Sequence, residues 1–337
     1  MAGHQWFRSY YVTKFIFLIV IATLAVCYLY YDKELKMWQT SYSFKTQTKN
    51  FIISQDQDTK IKQEQSRRMT LLKEYCRRNS SLSTIPLNTA VFIVNEKQKI
   101  IYCRAGKTGS STTATVLYNL EHDYNMTVRQ VNKQKEKLPF RLLSRHFYSE
   151  EEISFRLLTY NSLIVARNPL ERLASAWMDK FVRNSQLGYN DRYQSMLETL
   201  NSSINGIQKA KRKNRPTTRQ VPFLAFLRAA AASEEQWSDG HWMPISDVCA
   251  PCRIHYDYIA HTETLAEDLR LFLRKAGVTD RDHILPETKE TRTERSLLDV
   301  YRVVSLEDLR KVMQKFVADY EMFGYSYQKD VLRLSHP

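Results

Sequence analysis

The stretch IIYCRAGKTGSST, residues 100–112, surrounds one lysine with glycine and hydroxyl side chains. Lys107 supplies a positive charge, and its neighbours supply backbone N–H groups and hydroxyls, which together bind phosphate-like anions. The full P-loop pattern G-x-x-x-x-G-K-[ST] also requires a glycine five positions before Gly106, where this sequence has Ile101. The stretch therefore predicts an anion-binding loop that is not a complete Walker loop. A tight strand-to-helix turn without a ligand is the alternative interpretation.

Regular elements are predicted on both sides of this loop. Two β-branched runs, Ala90–Val94 and Lys99–Cys103, flank a polar turn and predict a hairpin that leads into the loop. Residues 112–124 can form a helix whose N-terminus points back at the loop. A strand, a loop rich in glycine and serine, and a helix form an arrangement that binds anions through backbone N–H groups and the helix dipole.

Two more strand-to-helix units follow. Ser162–Ala166 is a continuous apolar run, typical of a buried parallel strand, and Pro169 opens the next helix. Arg167 lies at the carboxyl end of that strand, where open α/β sheets bind ligands, although a structural ion pair explains it equally well. A strand near residues 254–259 and a helix from about residue 262 to Gly277 complete the pattern. The prediction is an α/β fold with a parallel sheet flanked by helices.

The N-terminal quarter predicts a membrane anchor and a stem. Phe15–Tyr31 is an uninterrupted apolar and aromatic run, near the lower length limit for a spanning helix. Arg8 and Lys14 precede it, so the positive-inside rule places the N-terminus in the cytosol. We therefore expect a cytosolic tail at 1–14, a signal anchor at 15–31, a polar lumenal stem at 32–85 and a lumenal domain at 86–337. A cleaved signal peptide is the alternative.

Cysteines and glycosylation motifs agree with a lumenal domain. Four cysteines lie outside the anchor, an even number that suits disulfides in an oxidising compartment and allows three pairings: Cys76, Cys103, Cys249 and Cys252. A zinc site is the alternative, but the chain has one C-x-x-C and no second pair at ligand spacing. Three N-x-[ST] motifs are glycosylation acceptors in that compartment: Asn79, Asn125 and Asn201.

Long motifs then indicate a family. The segments CRAGKTGSS, VARNPLERLASAWMDKF and HWMPISDVCAPCRIHYD occur in that order between residues 88 and 278. With these motifs the chain resembles the Golgi carbohydrate sulfotransferases of the chondroitin 4-O- and HNK-1-sulfotransferase group. Their corresponding patterns are C-x-V-P-K-V-(A/G)-C-T, V-R-x-P-x-E-R-L-x-S-A-x-x-D-K-F and H-W-x-P-x-x-x-x-C-x-P-C-x-I-x-Y-D. Gly106 replaces the proline that usually precedes the lysine.

The resemblance implies a P-loop-like sulfotransferase fold, a Golgi membrane location and the donor 3′-phosphoadenosine 5′-phosphosulfate, with no metal. Lys107 would neutralise charge on the bridging oxygen as the bond to sulfur breaks. Arg167 and Ser175 match the residues that bind the 3′-phosphate. The predicted 5′-phosphate and donor contacts come from the loop: Arg104, Gly106, Lys107, Thr108, Gly109, Ser110 and Ser111.

The acceptor hydroxyl must lose a proton, which requires a base within hydrogen-bond reach. His146 is one candidate, because related sulfotransferases use a histidine between their phosphate-binding segments, and His241 is the other. The net charge of +14 and the basic run at 208–216 favour an anionic or amino-sugar glycan, chondroitin-like or dermatan-like or carrying N-acetylhexosamine. Because the domain is expected to be lumenal, we do not expect nucleic acid as a partner. The sequence does not predict the oligomeric state. A silent glycan-binding relative and a P-loop kinase or NTPase are the rival functions.

Overall fold

The structure is a computed structural model that describes residues 59–183, 221–232, 239–286 and 300–335, together with Tyr28, Tyr31, Asp32 and Lys36. The chain divides into two compact units, Met1–Lys60 and Ile61–Pro337. Apart from Tyr28 and Tyr31, the predicted anchor lies outside the described residues. Within the described ranges, no helix is both long enough and apolar enough to cross a bilayer.

Five strands form one mixed sheet in the second unit. They are β1 Phe92–Asn95, β2 Ile100–Cys103, β3 Arg141–Leu142, β4 Asn161–Ala166 and β5 Tyr258–His261. Their spatial order is β3-β1-β2-β4-β5. Strands β2, β4 and β5 are parallel, whereas β1 is antiparallel to both β2 and β3. The parallel pairing expected for the later strands is therefore confirmed, and the predicted hairpin is confirmed as the antiparallel pair β1–β2, so the sheet as a whole is mixed.

Helices cover both faces of the sheet. The first helix, α1, covers residues 59–78. The helices that follow it are α2 Ser110–His122, α3 Val128–Gln134, α4 Glu150–Thr159, α5 Pro169–Trp177, α6 Phe223–Ala231, α7 Ile245–Cys249, α8 Leu265–Lys275, α9 Leu306–Lys315, α10 Val317–Met322 and α11 Tyr327–Ser335. Helix α5 continues into a π-helical turn, Met178–Arg183. Pro169 occupies the first turn of α5, and the Asn168 side chain caps that helix by accepting from the Glu171 N–H.

One core cluster lies on each face of the sheet, and alternate strand residues point to opposite faces. A third cluster packs α5 against α6 and α9. On one face, Ile100 and Leu163 pack with residues of α2 and α8, such as Leu117 and Phe272. The other face contributes a second cluster that reaches α1, α7 and α10: Ile101, Cys103, Ile164, Leu72, Ile245 and Met322. Each fully buried Leu, Ile or Phe contributes roughly 1.5–3 kcal/mol. Burial on both faces explains why β4 reads as a continuous apolar run.

Helix α1 packs on the domain, although the sequence placed it in a stem that ends at residue 85. The compact unit begins at Ile61. Arg68 is 3% exposed, and its Nη1 lies 2.9 Å from Oδ2 of the fully buried Asp268. Leu72 and Tyr75 are buried one helical turn apart. The polar composition hid this packing, because a buried arginine has the same sequence signal as an exposed one.

The third predicted strand is displaced along the chain. Strand β5 covers Tyr258–His261 rather than residues 254–259. Asp257 precedes it and accepts hydrogen bonds from the backbone N–H and the hydroxyl of Ser162, which fixes where pairing with β4 begins. The following helix ends as expected, since Gly277 adopts a left-handed φ of 81°.

Candidate active site

The carboxyl ends of the parallel strands meet at one edge of the sheet, here called the carboxyl edge. Strand β2 leads into residues 104–109, here called the lysine loop. The neighbouring strands β4 and β5 end at Ala166 and His261, so Arg167 follows directly at the same edge. Open α/β sheets bind ligands at this position. The topology thus brings the lysine loop and Arg167 together, as the sequence predicted.

The lysine loop has a strained backbone and an open helix end. Lys107 has a φ of 67°, which is uncommon for a residue with a side chain. Gly109, with a φ of 72°, is the N-cap of α2 and makes no side-chain cap. The first N–H groups of a helix have no partner within the helix, so this end can receive an anion. Thr108 differs from the prediction, because it is fully buried and its hydroxyl donates to the Ala105 carbonyl at 2.9 Å.

Lys107 forms an ion pair with a residue that the sequence reasoning missed. Its Nζ lies 3.0 Å from Oδ2 of Asp179, with side-chain exposures of 20% and 30%. Asp179 lies in the π-helical turn after α5, and such turns recur at functional sites. Burial lowers the pKa of Lys107 despite this partner. Burial alone would raise the pKa of Asp179, but the hydrogen bond from Lys107 and its charge lower it. The only sequence signal was its place in the motif WMDKF.

His241 lies against the lysine loop. The N–H of Gly106 donates to the Gly240 carbonyl at 3.1 Å. A Cβ at position 106 would lie 2.7 Å from the His241 Cα and 2.9 Å from the Gly240 oxygen, so this approach requires glycine. The proline usual in the resembling family has no N–H for that bond. The departure at Gly106 is therefore part of how this chain brings His241 beside Lys107.

Asp239 orients the His241 ring. Its Oδ1 lies 2.5 Å from Nδ1 of His241 and accepts the backbone N–H of the same residue at 2.8 Å. His241 keeps 33% of its side chain exposed, whereas Asp239 is 13% exposed. A carboxylate on Nδ1 fixes the tautomer in which Nε2 can accept a proton. The sequence reasoning did not predict Asp239, which lies two residues before the matched motif.

Arg167 contacts both the lysine loop and a buried carboxyl group. Its Nη1 donates to the Lys107 carbonyl at 3.2 Å, and Nη2 lies 3.6 Å from Oε2 of Glu171. Burial raises the pKa of Glu171, and the Arg167 charge opposes that shift. Arg167 therefore stands at the strand end and forms an ion pair, while its role as an anion ligand stays a prediction. Ser175 is half-buried two turns into α5.

A profile of the sulfotransferase family matches residues 91–326, a span that contains the lysine loop, Arg167 and His241. The chain belongs to the sulfotransferase family. Carbohydrate sulfotransferase 10 of Homo sapiens is 30% identical over 281 residues, which cover 77% of this chain and 74% of that relative. Carbohydrate sulfotransferase 11 of Rattus norvegicus is 28% identical over 258 residues, covering 74% and 73%. No solved structure matches.

The donor of the sulfotransferase family, 3′-phosphoadenosine 5′-phosphosulfate, is a polyanion, and the carboxyl edge fits one. The α2 N-terminus carries no side-chain cap, and the positively charged residues Lys107 and Arg167 lie in and beside the loop that precedes it. Of the remaining predicted contacts, Ser110 is half-buried, while Arg104 and Ser111 are exposed. These positions are compatible with the predicted roles and leave the roles themselves as predictions.

His146, the other candidate base, follows strand β3 of the sulfotransferase sheet. It is exposed in the turn after β3, and its ring packs edge-on against Phe147 with centroids 4.8 Å apart. Strand β1 separates β3 from β2, and two strand spacings amount to roughly 10 Å. Of the two candidate bases, the structure places His241 directly beside the lysine loop.

Two disulfides complete the sulfotransferase domain, Cys76–Cys252 and Cys103–Cys249. The second joins the end of β2 to the end of α7. Asn125 is exposed, whereas the Asn79 side chain donates to the Tyr75 carbonyl at 2.9 Å. Asn201 and the basic run at 208–216 lie outside the described residues. Among the described residues, no group of three or more His, Cys, Asp or Glu side chains is placed to hold a metal ion.

Proposed function

We propose that this chain transfers a sulfuryl group from 3′-phosphoadenosine 5′-phosphosulfate to a hydroxyl of a glycan, either chondroitin-like or dermatan-like or containing N-acetylhexosamine. Family membership and relatives named carbohydrate sulfotransferases support the reaction class and the acceptor class. The observation that carries the proposal is the contact at Gly106, which joins an anion-binding loop to an oriented histidine.

The donor would lie along the carboxyl edge. Lys107 and the first N–H groups of α2 would hold the phosphosulfate end, whereas Arg167 and Ser175 would hold the 3′-phosphate. Arg167 also donates to the Lys107 carbonyl, so one guanidinium would connect the two ends of the donor site. Charge-assisted hydrogen bonds of this kind give both affinity and orientation.

The residues divide the chemistry between them. The donor supplies the sulfuryl group, whose bond to the acceptor oxygen forms while its bond to the phosphate oxygen breaks. His241 would accept the acceptor's proton at Nε2, and Asp239 would stabilise the resulting imidazolium. Lys107 would stabilise negative charge on the departing phosphate oxygen, and Asp179 holds its ammonium group beside the loop.

A direct assay tests this proposal. The purified lumenal part, residues 32–337, is incubated with radiolabelled donor and a panel of desulfated chondroitin, dermatan and N-acetylhexosamine-terminated glycans. Labelled glycan is the expected result. Donor binding without transfer to any acceptor would instead favour the silent glycan-binding relative. ATP turnover would favour the NTPase.

We propose in addition that the chain is a single-pass Golgi membrane protein with a cytosolic N-terminus and a lumenal catalytic domain. The apolar run Phe15–Tyr31 supports this location. The full chain should remain in the membrane pellet after an alkaline wash and carry N-linked glycans. Release of a shortened chain into the supernatant would show a cleaved signal peptide instead.

A further inference from the structure

The segment 239–246 carries His241, and one buried arginine fastens it to the lysine loop. Arg172 of α5 is 1% exposed. Its Nε donates to the Gly106 carbonyl at 2.8 Å and its Nη2 to the Gly240 carbonyl at 3.0 Å. Its Nη1 donates to the Met243 carbonyl. A single guanidinium therefore binds backbone oxygens on both sides of the contact between loop and histidine segment.

A buried carboxyl group holds the same segment through its amides. Asp319 of α10 is 1% exposed. It accepts the backbone N–H groups of Ile245 at 2.6 Å and Ser246 at 2.8 Å. The segment is thus held by its carbonyls through Arg172 and by its N–H groups through Asp319, and these two contacts come from different helices.

These buried groups fix geometry more than they add stability. Burial lowers the pKa of Arg172 to about 10, and burial raises the pKa of Asp319. Burying charged groups costs desolvation free energy, and apolar residues of similar size do not incur this cost. Removing either side chain, however, would leave buried backbone groups without partners. Such an arrangement favours one position of the segment over its alternatives.

We propose that Arg172 and Asp319 are positioning residues for sulfuryl transfer, an inference that rests on the proposed function. Arg172 sets the lysine loop and the His241 segment together, because it binds Gly106 as well as Gly240 and Met243. Asp319 fixes the His241 segment alone. The two residues therefore have separable effects, since one acts on donor binding and proton transfer and the other on proton transfer only.

The experiment compares the wild type with Arg172→Lys, Asp319→Asn and a control, Glu96→Gln. Glu96 accepts hydrogen bonds from Tyr148, Tyr160 and Arg156 at the edge opposite the site. For each protein we measure the Kd of adenosine 3′,5′-bisphosphate by calorimetry, kcat for glycan sulfation and the Tm.

The three variants have different expected patterns. Asp319→Asn should lower kcat roughly tenfold to a hundredfold, as small misplacements of catalytic groups do, with Kd within about twofold of wild type. Arg172→Lys should lower kcat and also weaken bisphosphate binding by about tenfold. Glu96→Gln should lower Tm and leave both kcat and Kd unchanged.

Two results would overturn the inference. If both site variants lose only Tm, as the control does, the two residues are merely structural. If Asp319→Asn weakens bisphosphate binding as much as Arg172→Lys, the effects are not separable. If neither variant folds, hydrogen exchange on the wild type tests the coupling between donor binding and the His241 segment. Bisphosphate should then slow exchange of the amides in 240–246, and an unchanged rate would contradict the coupling. Absence of sulfate transfer by the wild type would refute the proposed function, whereas binding and exchange would still report on Arg172.

Discussion

Two arginine–glutamate pairs stand at opposite edges of the sheet and behave differently. Arg156 and Glu96 lie 2.9 Å apart at the edge where β4 begins, and side-chain exposures are 13% and 21%. Arg167 and Glu171 lie 3.6 Å apart at the carboxyl edge, with exposures of 12% and 10%. The residue types and burial are similar, but only the first pair is within hydrogen-bond distance.

Their surroundings explain the difference. Glu96 also accepts hydrogen bonds from two tyrosine hydroxyls, and Arg156 lies over the Tyr148 ring at 4.0 Å. Burial raises the pKa of Glu96, but these hydrogen bonds outweigh it and the net shift is downward, whereas burial raises the pKa of Glu171. A carboxylate that is well satisfied stabilises the fold. At the carboxyl edge, Arg167 instead contacts both Glu171 and the Lys107 carbonyl, at the position where the proposed donor would bind.

The largest expected effect comes from the proposed base, His241. His241→Asn would remove the proposed proton acceptor, and general-base catalysis contributes on the order of 10²- to 10⁴-fold to rate. Steady-state sulfation should show kcat reduced by that factor. His146→Asn is the matched control and should retain wild-type kcat. If kcat instead falls in His146→Asn and stays at the wild-type value in His241→Asn, then His146 is the base and His241 is not.

Lys107→Ala should be next in size. A lysine that stabilises the leaving oxygen acts mainly in the transition state, so kcat should fall roughly 10²- to 10³-fold. The affinity for adenosine 3′,5′-bisphosphate, measured by calorimetry, should change far less. The control is Lys311→Ala, which removes another lysine from an ion pair. It should keep both the wild-type kcat and the wild-type affinity for the bisphosphate. A loss confined to affinity would remove the catalytic role of Lys107.

Arg167→Ala breaks the looser pair and Arg156→Ala breaks the tighter one. Loss of a charge-assisted contact costs on the order of 1.5 to 3 kcal/mol. Arg167→Ala should thus weaken the binding of adenosine 3′,5′-bisphosphate roughly tenfold to a hundredfold. The affinity for adenosine 5′-phosphosulfate, which lacks the 3′-phosphate, should change little. Arg156→Ala should lower Tm and leave both affinities alone. Equal weakening of both ligands in calorimetry would place Arg167 at the 5′ end or in the fold.

Local signals in the sequence predicted the scaffold of the carboxyl edge. The β1–β2 hairpin, the buried strand β4 and the start of α5 at Pro169 are each encoded within a few neighbouring residues. Lys107 and Arg167 could be placed because both follow such strands. Periodicity and turn chemistry were sufficient for these elements.

Long-range partners could not be predicted in the same way. Asp179 reaches Lys107, and Arg172 reaches Gly240, only after distant parts of the chain have packed. No periodic pattern distinguishes a buried charged residue from a solvated one. Helix α1 was misplaced for the same reason, since Arg68 pairs with Asp268 inside the domain. The position of β5 likewise depends on the contact between Asp257 and Ser162.

The smallest expected effect concerns the tighter pair and its dependence on pH. The folded-state pKa of Glu96 lies below its ordinary value of 4.5, because hydrogen bonds from Tyr148, Tyr160 and Arg156 outweigh burial. The folded state therefore favours the carboxylate, and its stabilisation is present above about pH 4.5 and is lost as pH falls through the lowered pKa. Glu96→Gln cannot ionise, so at neutral pH it should reduce the free energy of unfolding by on the order of 1 to 2 kcal/mol. Urea unfolding from pH 7 to pH 3 should show the wild-type and variant curves converging below pH 4.5. A difference that stays constant over this range would mean that the charge of Glu96 contributes nothing, and that only its shape is needed at this edge.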